Sequence, residues 1–242
     1  MIIELCGVPG AGKSSIASEL VTQLRGHGLT ASLSLEDVSP RTPRPRRLPR
    51  KVMWASIEMV RHPRESARVI RAVVRSGQRA HRDVPIRSLN WLVLRSALRR
   101  ARATVGFNVI DQGVVQELCS LGYGGDAGSV IDIVDPGVNL LAPDLIVVID
   151  VEPAIADQRL ADRPGRQSRI EANGVDRRRE LERQGALIEE LLAAWLDRYG
   201  DLVPTTTRRV VNGHGPIDIH DLVAYLLLQN GAETKEPERA IT

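Results

Sequence analysis

Gly7-Val8-Pro9-Gly10-Ala11-Gly12-Lys13-Ser14 is the stretch on which the reading of this chain turns. It fits the pattern G-x-x-x-x-G-K-[ST], a loop whose glycines let successive backbone N–H groups turn inward around phosphate oxygens. The pattern needs a strand before it and a helix after it. Residues 2–6 are a short apolar run that reads as a buried strand. Residues 13–25 carry Ile16, Leu20 and Leu24 at helical spacing, with Gly26 and Gly28 as stop signals. In that context Gly7, Pro9, Gly10, Ala11, Gly12, Lys13, Ser14 and Ser15 are the expected contacts to a nucleoside triphosphate. The helix start adds its positive end, Lys13 reaches the β- and γ-phosphates, and the Ser14 hydroxyl is offered to Mg²⁺. ATP and Mg²⁺ are thus the expected cofactors. The loop is silent on where the phosphoryl group goes.

Outward from the loop, strands and helices alternate. Leu29, Ala31, Leu33 and Leu35 alternate with Thr30, Ser32 and Ser34, which predicts a strand near a sheet edge, ending in Glu36-Asp37. Residues 40–51, PRTPRPRRLPRK, contain four prolines and six positive charges, so we expect an exposed loop with no helix. Helices are expected over about 52–76 and 86–103. Val105–Ile110 reads as a strand ending in Asp111-Gln112-Gly113, then a helix over 114–121. Leu145–Ile149 reads as a central strand, 153–163 and 176–199 as helices, Arg208–Val211 as a last strand, and a helix runs from Pro216 to about Gln229. Residues 231–242 read as a disordered tail. This alternation predicts a parallel sheet with right-handed crossovers, in one domain over 1–230 with a basic helical insertion at 40–105.

Composition narrows the function classes. Seven of 242 residues are aromatic, too few for a stacking platform along single-stranded nucleic acid. Cys6 and Cys119 do not make a disulfide framework, and both read as buried thiols suited to a reducing compartment. MIIELCGVPG shows neither basic leader nor cleavage signal, and no run reaches the length of a membrane span, so a cytoplasmic location is expected. His81, His214 and His220 lack metal-ligand spacing with Cys or carboxylates, and no zinc site is expected. Charge is unevenly spread. Residues 41–110 hold 18 basic and 3 acidic residues against a net charge of +3 for the whole chain. Arg61, Arg64, Arg68, Arg71, Arg75 and Arg79 recur every three or four residues, and Arg95, Arg99 and Arg102 share a second face. Such a face is either solvated or turned to an anionic ligand. Trp54, Trp91 and Tyr123 belong either to the core or to an acceptor's ring.

GVPGAGKSS closing a strand resembles the P-loop nucleoside and nucleotide kinases, most closely the thymidylate kinase-like group. Asp111-Gln112-Gly113 resembles that group's Asp-Arg motif, with Gln112 where the group has arginine. Pro143-Asp144 followed by Leu145–Asp150 resembles its fourth strand. Arg159-x-x-x-Arg163 with Arg166, Arg169 and Glu171 resembles its arginine-bearing lid, placed at 159–176. Asn212-Gly213-His214-Gly215-Pro216-Ile217 resembles the loop that packs near adenine. The resemblance implies a three-layer α/β sandwich of about five parallel strands in the order 2-3-1-4-5, and a kinase of a small molecule. Chloramphenicol-type phosphotransferases resemble the same plan.

The candidate residues follow. Asp111, at a strand's C-terminal end, is expected to partner Mg²⁺ together with Ser14; its alternative role is to cap the helix after it. The resemblance implies that Glu36 or Asp37 contacts the acceptor hydroxyl as base, and that Arg159 and Arg163 stabilise the transferring phosphoryl. It places Arg159 and Gly213 on the donor nucleotide. Arg41, Arg44, Arg68 and Gln112 are the candidate acceptor contacts, for an acceptor that is anionic: a nucleotide, or else a nucleoside or metabolite hydroxyl. Two rival readings use the basic face for a macromolecule, one a regulatory NTPase and the other a kinase of nucleic-acid ends. Self-association is compatible with all three.

Overall fold

The computed structural model describes residues 1–38, 42–78, 82–123, 130–133, 137–163, 176–203, 205–215 and 217–231. The sheet has five parallel strands: β1 (Ile2–Cys6), β2 (Ala31–Leu33), β3 (Phe107–Ile110), β4 (Leu145–Asp150) and β5 (Thr206–Val211). Their order is β2-β3-β1-β4-β5. β1 lies at the centre, with Ile3 paired to Val109 on one side and to Leu145 on the other. β2 is an edge, as its alternation predicts.

Period two along the strands fills two cores. Ile3, Leu5, Phe107, Val109, Leu145 and Val147 face α1 (Lys13–Gly26) and the last described helix, whose Leu222 and Leu226 meet Ile16, Leu20 and Leu24. Ile2, Cys6, Ile110, Ile146 and Val148 face the other layer, where Trp91, Leu118, Ile188 and Trp195 are buried. The result is a three-layer α/β sandwich. Cys6 and Cys119 are free and buried. Burial pushes both thiols up, which keeps them protonated and unreactive.

The basic stretch departs from its sequence reading in three ways. First, 40–51 is not a helix-free loop, because α2 runs from Arg44 to Arg61. Pro45 falls at its first turn, where no N–H is needed, and only Pro49 removes a bond inside the helix. Packing recovers that loss: Trp54 and Ala55 bury against Leu92, Val93 and Ala97 of α4 (Asp83–Arg102). Second, the helix expected over 52–76 is two helices. His62, at φ −134°, ends α2, and Pro63 opens α3 (Pro63–Arg75). Third, Arg95 is turned neither to solvent nor to a ligand. It is fully buried and ion-paired to Glu58 of α2 (3.3 Å) and to Glu65 of α3. Arg99 binds both acids too, at 3.1 and 2.7 Å. Trp54 is stacked under Arg100, 3.4 Å from its ring centroid, and Trp91 is wholly internal, so both belong to the packing.

Beyond β3 come α5 (Val114–Gly122), a short α6 (Val138–Leu141), α7 (Pro153–Ala161), α8 (Arg177–Tyr199) and α9 (His220–Gln229). The last starts four residues later than Pro216, which itself lies outside the described residues, as do Arg79, His81, the lid segment 164–175 with Arg166, Arg169 and Glu171, and the tail from 232. Among the described residues no helix is long and apolar enough to cross a membrane.

Candidate active site

One cleft of about 860 Å³ opens at the C-terminal ends of β1, β2 and β3. Its floor is the turn between β1 and α1. Gly12 has φ +91°, and a Cβ there would meet the Asn212 amide nitrogen at 2.3 Å, so both conformation and space demand glycine. α1 then starts without any side-chain cap and with no acidic residue in its first turn. Its first N–H groups are thus left to a ligand, and the helix end favours an anion.

Lys13 curls over the loop and donates to the carbonyls of Gly7 (2.7 Å) and Val8 (3.0 Å). Desolvation pushes its ammonium down to about 8; the charge of Arg163 lowers it further, and Asp111 opposes the shift. The Ser14 hydroxyl donates to Asp111 Oδ2 at 2.6 Å. Strand β3 therefore delivers Asp111 to the one hydroxyl that the loop offers. A hydroxyl and a single carboxylate, both hard oxygen donors beside a phosphate loop, fit Mg²⁺, which commonly keeps one or two carboxylates and shares phosphates and waters. The alternative role of Asp111, capping the helix that follows, is not what the structure shows. The α5 N–H groups of Val114 and Val115 bind the carboxylate of Glu4 instead, at 2.9 and 2.7 Å.

A second set of bonds joins the loop to the end of β5. Asn212, almost fully buried, donates to the Ala11 carbonyl at 2.7 Å. Arg159 of α7 donates to the Gly213 carbonyl at 2.6 Å and reaches the Gly10 carbonyl at 3.4 Å. Arg159 and Gly213 thus meet each other beside the loop. Arg163, just past α7, lines the cleft itself together with Pro9, Gly10, Gly12, Lys13, Ser14 and Ser15.

Of the acidic pair after β2, Glu36 lines the cleft, whereas Asp37 is exposed and ion-paired to Arg50 at 2.7 Å. Gln112 lines the cleft beside Asp111. Arg68 does not: it is exposed on α3, away from the residues around the cleft, which corrects its placement among the acceptor contacts. Arg41 lies outside the described residues, and of Arg44 only the backbone is described.

Other residues that the sequence did not single out also line the cleft. Arg46 and Arg50 come from α2, Arg87 and Asn90 from α4, Gln116, Glu117 and Ser120 from α5, and Gln184 from α8. Arg87 and Glu117 are 3.9 Å apart and each about one-tenth exposed. Tyr123 also lines the cleft and donates to Glu180 at 2.5 Å. The signal for these residues lay only in their helical phase: Arg87 and Asn90 are three apart, as are Glu117 and Ser120.

No protein-family model matches the chain, and no curated protein sequence does. Solved structures do. Deoxyadenosine kinase from M. mycoides, with the products dCMP and a flexible dCDP bound, superposes with a TM-score of 0.51 at 15% identity, covering 96% of this chain and all of the other. The same enzyme with dATP bound gives a TM-score of 0.48 at 13% identity. At such identity the likeness is one of fold, and with the strand order and the phosphate loop it gives the chain the P-loop kinase fold.

Proposed function

We propose that the chain is an ATP- and Mg²⁺-dependent kinase that transfers the γ-phosphoryl group to a hydroxyl of a nucleoside-sized acceptor. The observation that carries this reading is the shared cleft. The phosphate loop, Ser14 and Asp111 line the same cavity as Glu36, Arg87, Gln112 and Glu117. A regulatory NTPase has no need of a second, polar compartment continuous with its phosphate loop. The named activity of the structural neighbour, on deoxyadenosine, agrees with an acceptor of this size.

Phosphoryl transfer asks chiefly for alignment and positive charge. Lys13 and Arg163 face the triphosphate end and would hold and neutralise its oxygens. Ser14 and Asp111 would hold Mg²⁺, which would supply charge neutralisation at the phosphates. Glu36 is the one carboxylate of its pair on the cleft, and we assign it as the base: it takes the acceptor hydroxyl proton as that oxygen bonds to phosphorus and ADP leaves. Arg87 and Glu117 offer a donor and an acceptor side by side, suited to the polar edge of a heteroaromatic ring.

A second reading, favoured by Arg46 and Arg50 on the same wall, is an acceptor that already carries a phosphate. Gln112 in the place of the arginine of the thymidylate kinase-like group weakens thymidylate itself. The test is ATP consumption against deoxynucleosides, ribonucleosides and nucleoside monophosphates, with a no-acceptor control. Turnover with nucleosides supports the first reading and turnover with monophosphates the second. ATP hydrolysis indifferent to every acceptor would sink both.

A further inference from the structure

Glu4 is a carboxylate in the central strand of the sheet, 1% exposed, between Ile110 and Ile146 of the neighbouring strands. A buried charge there costs several kcal/mol unless its oxygens are engaged. They are engaged in an unusual way. Oε2 accepts from the Val114 N–H at 2.9 Å, and Oε1 accepts from Val115 at 2.7 Å and Gln116 at 3.4 Å. These are the first N–H groups of α5. The residue at the helix's own cap position is Gly113, which has no side chain to give. The nearest local carboxylate, Asp111, is committed to Ser14. A helix that should be capped by its own preceding residue is thus capped from a strand 110 residues earlier in the chain.

The glycine is part of the same device. A Cβ on Gly113 would lie 2.3 Å from the Glu4 carboxyl carbon, so the carboxylate can reach the helix only because residue 113 has no side chain. The helix so fixed carries Gln116, Glu117 and Ser120 of the acceptor wall, and its first turn follows directly on Asp111 and Gln112.

We propose that Glu4 is a positioning residue of the site: its carboxylate anchors the N-terminus of α5 to the strand that ends in the phosphate loop, and so sets the acceptor wall against the donor loop. Glu4 touches neither donor nor acceptor. It registers one half of the cleft on the other. The claim rests on the kinase reading only in calling Gln116 and Glu117 acceptor contacts; the anchoring is tested without turnover.

The experiment is hydrogen exchange by mass spectrometry on the full chain, comparing Glu4→Ala with the pair Glu4→Ala and Gly113→Ser. The serine restores a local cap where removal of the carboxylate has opened the space. In Glu4→Ala, exchange over residues 112–122 should rise about tenfold, the usual effect of losing a cap, while α1 exchanges as before. In the double variant it should return to the wild-type rate. Affinity for a fluorescent ATP analogue should be unchanged in both. Unaltered exchange over 112–122 in Glu4→Ala overturns the proposal. If Glu4→Ala fails to fold but the double variant folds, the anchoring is supported; if neither folds, the carboxylate serves the sheet rather than the helix and the proposal fails. Absence of turnover in the wild type would count against the kinase reading and leave the exchange result standing.

Discussion

On the donor side of the cleft the polar bonds end mostly on main-chain atoms. Lys13 binds the carbonyls of Gly7 and Val8, Asn212 that of Ala11, and Arg159 that of Gly213. The rest of the cleft is lined by side chains from four helices, and two of these, α2 and α4, are held together by ions: Arg95 and Arg99 of α4 against Glu58 of α2, with Glu65 of α3 joining them. A main-chain cradle is specified by a few glycines in a row and tolerates change around it. A wall of side chains depends on where each helix lies, and so on contacts far apart in the chain. If the chain is the kinase proposed above, the first construction would bind what every kinase shares, and the second would be free to vary with the acceptor.

The comparison is broken most sharply at Lys13. Lys13→Ala should lower kcat/KM by about a thousandfold or more, since it removes a preorganised charge from the transferring group. Thermal unfolding should stay near wild type, because the lysine's only described bonds are to two loop carbonyls. A Lys13→Ala enzyme that still turns over ATP at a tenth of the normal rate would mean that the loop is not the donor site. The matching blow on the other wall is Arg95→Ala. It leaves Glu58, 2% exposed, with only the part-exposed Arg99 as partner; breaking a buried pair by one member costs about 3–5 kcal/mol, and the bonds that Arg99 keeps put the loss at the lower end of that range. A urea melt measures this. The loss should be far smaller in a variant where Glu58, Glu65 and Arg95 are all replaced by apolar residues of similar size.

How much was legible from sequence follows the same divide. The phosphate loop, the central strands and the edge position of β2 were readable because each is written in neighbouring residues: a glycine pattern, an apolar run, a period of two. The strand order came from the resemblance to the P-loop kinases, not from any local pattern. Asp111 was readable because a strand's end placed it. The helix α2 was not, because four prolines within twelve residues argue against any helix until one knows that Trp54 and Ala55 have α4 to pack on. Arg95 was read only as sharing a face with Arg99 and Arg102, and its burial was missed because its partners Glu58 and Glu65 lie 37 and 30 residues earlier. Glu4 was passed over within an apolar run, since nothing near it in sequence shows that a helix start 110 residues later points at it. Glu36 and Asp37 were indistinguishable as a pair; the ion pair to Arg50 separates them.

Glu4 also joins the two walls energetically, and pH exposes it. Burial raises its pKa to about 7 from an ordinary 4.5; the three amides oppose the shift without cancelling it, and the charge of Glu117 adds to it. A carboxyl whose folded pKa lies above its unfolded value contributes stability that is fully present below about pH 4.5 and is lost as pH rises through about 7. The span corresponds to about 3 kcal/mol. Urea melts of the wild type should therefore weaken between pH 5 and pH 7.5, and those of Glu4→Gln should show a flatter profile over that range. An unchanged slope in Glu4→Gln would assign the pH dependence to other groups. Ionisation as pH rises through neutrality is a loss to the fold, which is consistent with a group retained for the geometry of the cleft.

The smallest effect tests whether the end of β5 belongs to the donor side at all. Asn212 is 5% exposed, donates to Ala11, and lies 3.4 Å from Arg159 through its own oxygen. Asn212→Ala leaves the Ala11 carbonyl without its buried donor and frees Arg159 at one point, an expected loss of about 1–2 kcal/mol. The loop should relax, and affinity for a fluorescent ATP analogue should fall about tenfold if that loss is felt in binding. The acceptor KM, measured at saturating ATP, should not move, because the described hydrogen bonds of Asn212 run to Ala11, Asp150 and Arg159 and to none of the cleft residues on α2, α4 and α5. A change in acceptor KM with donor affinity intact would reverse the assignment: the loop after β5 would then serve the acceptor, and the two walls would not be separable in the way their construction implies.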